Sequence, residues 1–120
     1  MIMTTLLKVQ KITKKFGDFY ANNRISFEVN RSEVLAILGE NGAGKTTLMN
    51  ILFGHYTPDA GNVNFEGSAI EFGNTNNAIK LGIGMVHQHF TLAENLTVLE
   101  NIIIGRQSIF SLSLPKRQAR

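Results

Sequence analysis

Apolar and polar residues alternate from Leu7 to Ile12 (LKVQKI), as in a strand with one buried face. The alternation returns from Arg24 to Val29 (RISFEV), with Ile25, Phe27 and Val29 on one side. Asn22-Asn23 before that run and Asn30-Arg31-Ser32 after it supply turn residues. From Val34 to Leu38 the pattern changes: VLAIL holds no polar residue, which predicts a strand buried on both faces, the habit of a parallel sheet. Lys45 to Phe53 has helical spacing, with Gly54 as its stop, and HYTPDAG (His55 to Gly61) has the chemistry of a turn. Short strands are expected at Asn62–Phe65 and Ala69–Phe72, a short helix at Asn74–Leu81 ended by Gly82, and another strand at Ile83–His87. Gln88 to Asn95 reads as loop and Thr97 to Ile104 as helix, and the stretch from Ser108 onward has no clear period. The pattern predicts an antiparallel layer joined to a parallel α/β core.

Composition narrows this only a little. At 120 residues, 43% hydrophobic and 18% charged, the chain fits one small domain or a piece of a larger one. Its net charge of +3 is dispersed, apart from the ending PKRQAR, so no nucleic-acid partner is expected. The absence of cysteine excludes disulfides and thiolate metal sites. The start, MIMTTLLKVQK, lacks the apolar core of a signal peptide, and no apolar run approaches the roughly 20 residues that cross a bilayer. A cytoplasmic location without direct membrane insertion is the expectation.

The chemistry sits at residues 39–47, GENGAGKTT, between VLAIL and the helix-like LMNILFG. Gly39, Gly44, Lys45 and Thr46 satisfy G-x-x-x-x-G-K-[ST], the phosphate-binding loop. Glycines at 39, 42 and 44 can take positive φ and let backbone approach a ligand, so that successive N–H groups form a nest for anionic oxygens. The following helix adds its positive N-terminal end. Lys45 would reach the β- and γ-phosphates and Thr46 would offer its hydroxyl to Mg²⁺.

GENGAGKTTLMNIL resembles the Walker A segment of ABC-transporter ATPase domains, including the second threonine, Thr47. GIGMVHQHFTLAENLTVLENIIIG is similar to the Q-loop region of the sugar and nucleoside importer branch, and with KITKKFG the resemblance covers residues 6–105. It implies a partial P-loop NTPase core of the α/β class with an antiparallel β-subdomain, binding ATP and Mg²⁺. By resemblance, Phe16 stacks on adenine. Gly39, Asn41, Gly42, Ala43, Gly44, Lys45, Thr46 and Thr47 hold the phosphates. Gln88 and Thr46 meet the metal, with Lys45 and Gln88 as catalytic groups. The implied partners are transmembrane permease subunits, which would bring the protein to the inner face of the cell membrane, and a second ATPase domain bound head to tail.

His87 and His89 form H-x-H, but no further ligand has zinc spacing, so a structural or subfamily role is expected. A GTPase would show N-K-x-D, and NNAIK does not fit it. Nothing after Gln88 supplies the apolar run ending in Asp that makes a Walker B, the signature LSGGQ is missing, and no histidine follows His89 as a switch residue. The resemblance therefore implies the N-terminal half of an ATPase domain over residues 1–105, with 106–120 as the start of a truncated helical subdomain or an irregular tail. Two readings follow: a partial importer ATPase subunit, or a catalytically inactive nucleotide-binding fragment. In the family, strands that come later in sequence separate the P-loop strand from the Q-loop strand. Val34–Leu38 and Ile83–His87 are accordingly expected to show exposed edges and apolar faces.

Overall fold

The computed structural model describes residues 4–40, 42–87 and 92–103. The chain divides into two compact units, one running to Met85 and one starting at Val86.

In the first unit, strands β1 (Thr5–Phe16) and β2 (Phe19–Asn30) form a long antiparallel hairpin closed at Phe16↔Phe19. Both strands outrun their alternating sequences, and Asn22-Asn23, expected as turn residues, lie inside β2. The reason is the ladder: pairing with β1 holds residues 19–23 extended whatever their local preference. The register slips beside Lys11 and Arg24, which adopt positive φ of 51° and 52°, and these two bulges bend the hairpin. Strand β3 (Ala60–Phe65) pairs antiparallel with the other edge of β1, and the short β4 (Ser68–Ala69) pairs with β3, giving the order β2-β1-β3-β4.

Helix α1 (Lys45–Phe53) has the limits its sequence predicts. Gly54 ends it at φ 96°, donating its N–H to the carbonyls of Asn50 and Ile51. A Cβ at residue 54 would meet the Asn74 carbonyl at 2.7 Å, so glycine also lets α2 (Thr75–Leu81) begin against the end of α1. Asn74 caps α2, its side chain accepting the Asn77 N–H at 3.0 Å. The core lies where α1 meets the sheet: Val9 and Ile12 of β1, Val63 of β3, Ile70, and Leu48, Ile51 and Leu52 of α1. Each fully buried aliphatic side chain there contributes about 1.5–3 kcal/mol.

Two expected strands take no ladder partner among the described residues. Val34–Leu38 and Ile83–His87 have no strand pairing. Val34 is 96% and Leu38 91% exposed, the opposite of the burial on both faces that VLAIL predicts. An all-apolar run becomes a central strand only when chains lie on both sides of it, and the described residues offer none. The resemblance leads one to expect exposed apolar faces at both stretches; Val34–Leu38 presents one, whereas in Ile83–His87 Val86 is exposed and Ile83 and Met85 are half-buried.

In the second unit, α3 (Val98–Ile103) starts from a reciprocal cap. The Thr97 hydroxyl accepts the Glu100 N–H at 3.2 Å, while a Glu100 carboxylate oxygen accepts the Thr97 N–H at 2.9 Å. T-V-L-E is the sequence signature of that cap. Asn101 ties the preceding turn to α3, accepting the Ala93 N–H and donating to the Ala93 carbonyl.

Candidate nucleotide site

The glycine-rich loop hands over to α1 at Gly44, which caps the helix at φ 92° and ψ 7°. A Cβ at this position would lie 1.9 Å from the Ala21 carbonyl oxygen, so only glycine allows β2 and the loop to come this close. Gly42 also has positive φ, 84°; Gly39, expected to share that conformation, does not. What glycine provides at 39 is room, since a Cβ there would crowd Ala43 at 3.1 Å.

The first turn of α1 carries no acidic residue and Gly44 offers no side-chain cap, so the positive end of the helix is left for an external anion. The Ala43 N–H closes a turn onto the Glu40 carbonyl at 3.1 Å. The Lys45 ammonium donates to the carbonyls of Gly39 and Glu40, the latter at 2.8 Å, and so lies across the loop it belongs to. Thr46 is exposed and Thr47 half-buried on the same first turn. Main-chain amides, one ammonium and a hydroxyl make a donor set suited to a polyphosphate, with a hydroxyl to spare for its cation. Ala43 lies in the loop as expected; Asn41 and Gln88 fall outside the described residues.

Phe16 ends β1, half exposed, its ring 6.0 Å from that of Tyr56 in an edge-to-face arrangement. The Lys14 ammonium sits 5.3 Å from the centre of the Phe16 ring and 3.6 Å from an Asp59 carboxylate oxygen. Phe16 is thus an accessible surface aromatic, as a stacking platform must be.

Sequence reasoning missed Asn22. It is 4% exposed, the one polar or charged side chain in the buried class among the described residues, and its amide nitrogen donates to the Gly44 carbonyl at 3.1 Å. Its signal was present but misleading: an Asn-Asn pair before a strand reads as a turn. Among the described residues no group of three or more His, Asp or Glu is placed to hold a metal, and no helix is long and apolar enough to cross a membrane.

The profile of the ABC transporter family matches residues 22–120. The chain belongs to the ABC transporter family. Its sequence is 44% identical over 120 residues to the nucleoside import ATP-binding protein NupA of Lactococcus lactis, covering 100% of this chain and 24% of that protein. It is 47% identical over 105 residues to the guanosine import ATP-binding protein NupO of Bacillus subtilis, covering 88% of this chain and 21% of that one. Among solved structures it resembles a nucleotide-free ATP-binding cassette from an ABC transporter, with TM-score 0.76 and 36% identity over 85% of this chain and 40% of that one. This family member therefore spans about a quarter of the length of NupA, the antiparallel sheet and glycine-rich loop being part of an ABC cassette fold.

Proposed function

We propose that this chain supplies the adenine platform and phosphate cradle of an ABC importer's ATP-binding subunit, serving a nucleoside or sugar as solute. The observation that carries the reading is the N-terminus of α1, free of acidic residues in its first turn, at the end of a G-x-x-x-x-G-K-T loop across which the Lys45 ammonium lies. The functions of its relatives, nucleoside import for NupA and guanosine import for NupO, support the solute class. Phe16 would stack on the base, the loop amides from Gly39 to Thr47 and Lys45 would hold the phosphates, and Thr46 with Gln88 would hold Mg²⁺. The cation would neutralise phosphate charge, and the protein's own share is to aim amides and one ammonium at the oxygens.

Transport would require transmembrane permease subunits, which would hold this chain at the inner face of the membrane, and a second ATPase domain bound head to tail. The 120 residues contain neither LSGGQ nor an apolar run ending in Asp, so on their own they bind ATP and turn it over little or not at all. Titration with magnesium-ATP by calorimetry tests this. The wild-type chain binds, Lys45→Ala loses about tenfold to hundredfold in affinity as a charged hydrogen-bonding partner disappears, and Phe16→Ala weakens ATP but not inorganic pyrophosphate. Unchanged affinity in Lys45→Ala, or turnover by the chain matching that of a whole importer ATPase subunit, overturns the reading.

A further inference from the structure

We propose that Asn22 is a positioning residue for the phosphate cradle, acting through the peptide that joins Gly44 to Lys45. The Gly44 carbonyl receives two hydrogen bonds: the Leu48 N–H at 3.0 Å, which opens the hydrogen-bond ladder of α1, and the Asn22 side-chain amide at 3.1 Å, which comes from β2. A trans peptide unit is planar, with its N–H opposite its C=O. Holding the Gly44 oxygen toward Asn22 and down the helix therefore aims the Lys45 N–H the other way, out of the loop end where a phosphate would sit. Without the bond from β2, that carbonyl has only its helical partner, and a glycine at φ 92° resists peptide rotation less than any other residue.

Two further observations separate this role from ordinary packing. First, the Asn22 Oδ1 is buried and has no hydrogen-bond partner among the described residues. A buried polar side chain with one arm unsatisfied is costly for the fold, and leucine has the same branched shape without that cost. Second, the Ala21 carbonyl stands directly against the Gly44 Cα, so consecutive residues of β2 touch the same hinge of the loop. The sheet thereby sets the direction of the first helical amides, and the price of a half-satisfied amide is offset only where ligand binding uses that direction.

The inference rests on the cradle reading, and its test keeps the two apart. The wild-type chain, Asn22→Leu and Asn22→Asp are titrated with magnesium-ATP and with inorganic pyrophosphate. Their unfolding midpoints are measured alongside, as is the ¹⁵N–¹H resonance of Lys45 without ligand. Asn22→Leu is expected to bind both ligands about fivefold more weakly, the size of one neutral hydrogen bond, with an unfolding midpoint equal to or above that of the wild type. Asn22→Asp is expected to bind more weakly still, since a carboxylate would face the Gly44 carbonyl. Lys45 should shift in both variants. Wild-type affinity in Asn22→Leu overturns the proposal, as does a loss of affinity matched by a lower midpoint, which marks a merely structural role. If the wild type itself ignores both ligands, the cradle reading fails; an unmoved Lys45 resonance in Asn22→Leu then overturns the positioning role as well.

Discussion

Val63 and Val34 are the same side chain in opposite circumstances. Val63, on β3, pairs with Val9, sits among Ile12, Ile51 and Leu52, and is 1% exposed. Val34 opens the more apolar of the two stretches and is 96% exposed. Local hydrophobicity does not separate them; the supply of neighbours does. Strand β1 finds β2 directly after it in sequence, and after α1 the turn at 55–59 brings β3 back to the other edge of β1. VLAIL needs strands on both flanks, and nothing among the described residues takes those places.

The comparison is open to direct attack. Its largest expected consequence is association: at tens of micromolar, the 120-residue chain should sediment as concentration-dependent oligomers through its unpaired apolar runs. Val34→Lys combined with Leu38→Lys should return it towards monomer. A wild-type chain that sediments as a monomer over that range and unfolds cooperatively would break the contrast. Next in size, Ile51→Ala should cost about 2–5 kcal/mol in denaturant-induced unfolding of the charged double variant, because Ile51 is fully buried. Leu38→Ala, at a position 91% exposed, should change the same quantity by no more than about 0.5 kcal/mol. Comparable losses at the two positions would mean that the apolar run is covered in solution. The smallest effect sharpens the point from the other side: Thr97→Ala removes the reciprocal cap of α3 and should weaken that helix by about 1 kcal/mol, read from faster amide exchange at residues 99–103. No change in exchange there would show that α3 does not depend on its own cap.

These differences also explain what could be read ahead of the structure. Helix α1 is legible to the residue because glycines bound it on both sides and stop signals are local. The end of α2 at Gly82 is legible for the same reason. The turn before α1 is legible in its backbone, since Gly42 and Gly44 take the positive φ that the glycine spacing suggests. Strand lengths in β1 and β2 are not, because cross-strand pairing extends them through Asn22-Asn23, whose local preference is to turn. The pattern of VLAIL alone predicts burial, because a run of five apolar residues records the company a segment requires, whether or not that company is at hand. Asn22 escaped for a related reason: its meaning lies in a contact with Gly44 across 22 positions of sequence.

Lys45, clasping the Gly39 and Glu40 carbonyls, changes how affinity for a polyphosphate should be understood. Within the loop the ammonium bridges two carbonyl dipoles and keeps their converging oxygens from repelling one another. On the proposed function, a polyphosphate would compete with those carbonyls for the ammonium, so the free energy gained is the surplus of phosphate over carbonyl. Removing the ammonium would therefore alter the turn itself as well as its hold on phosphate, and the shape of the turn becomes as informative as the binding constant.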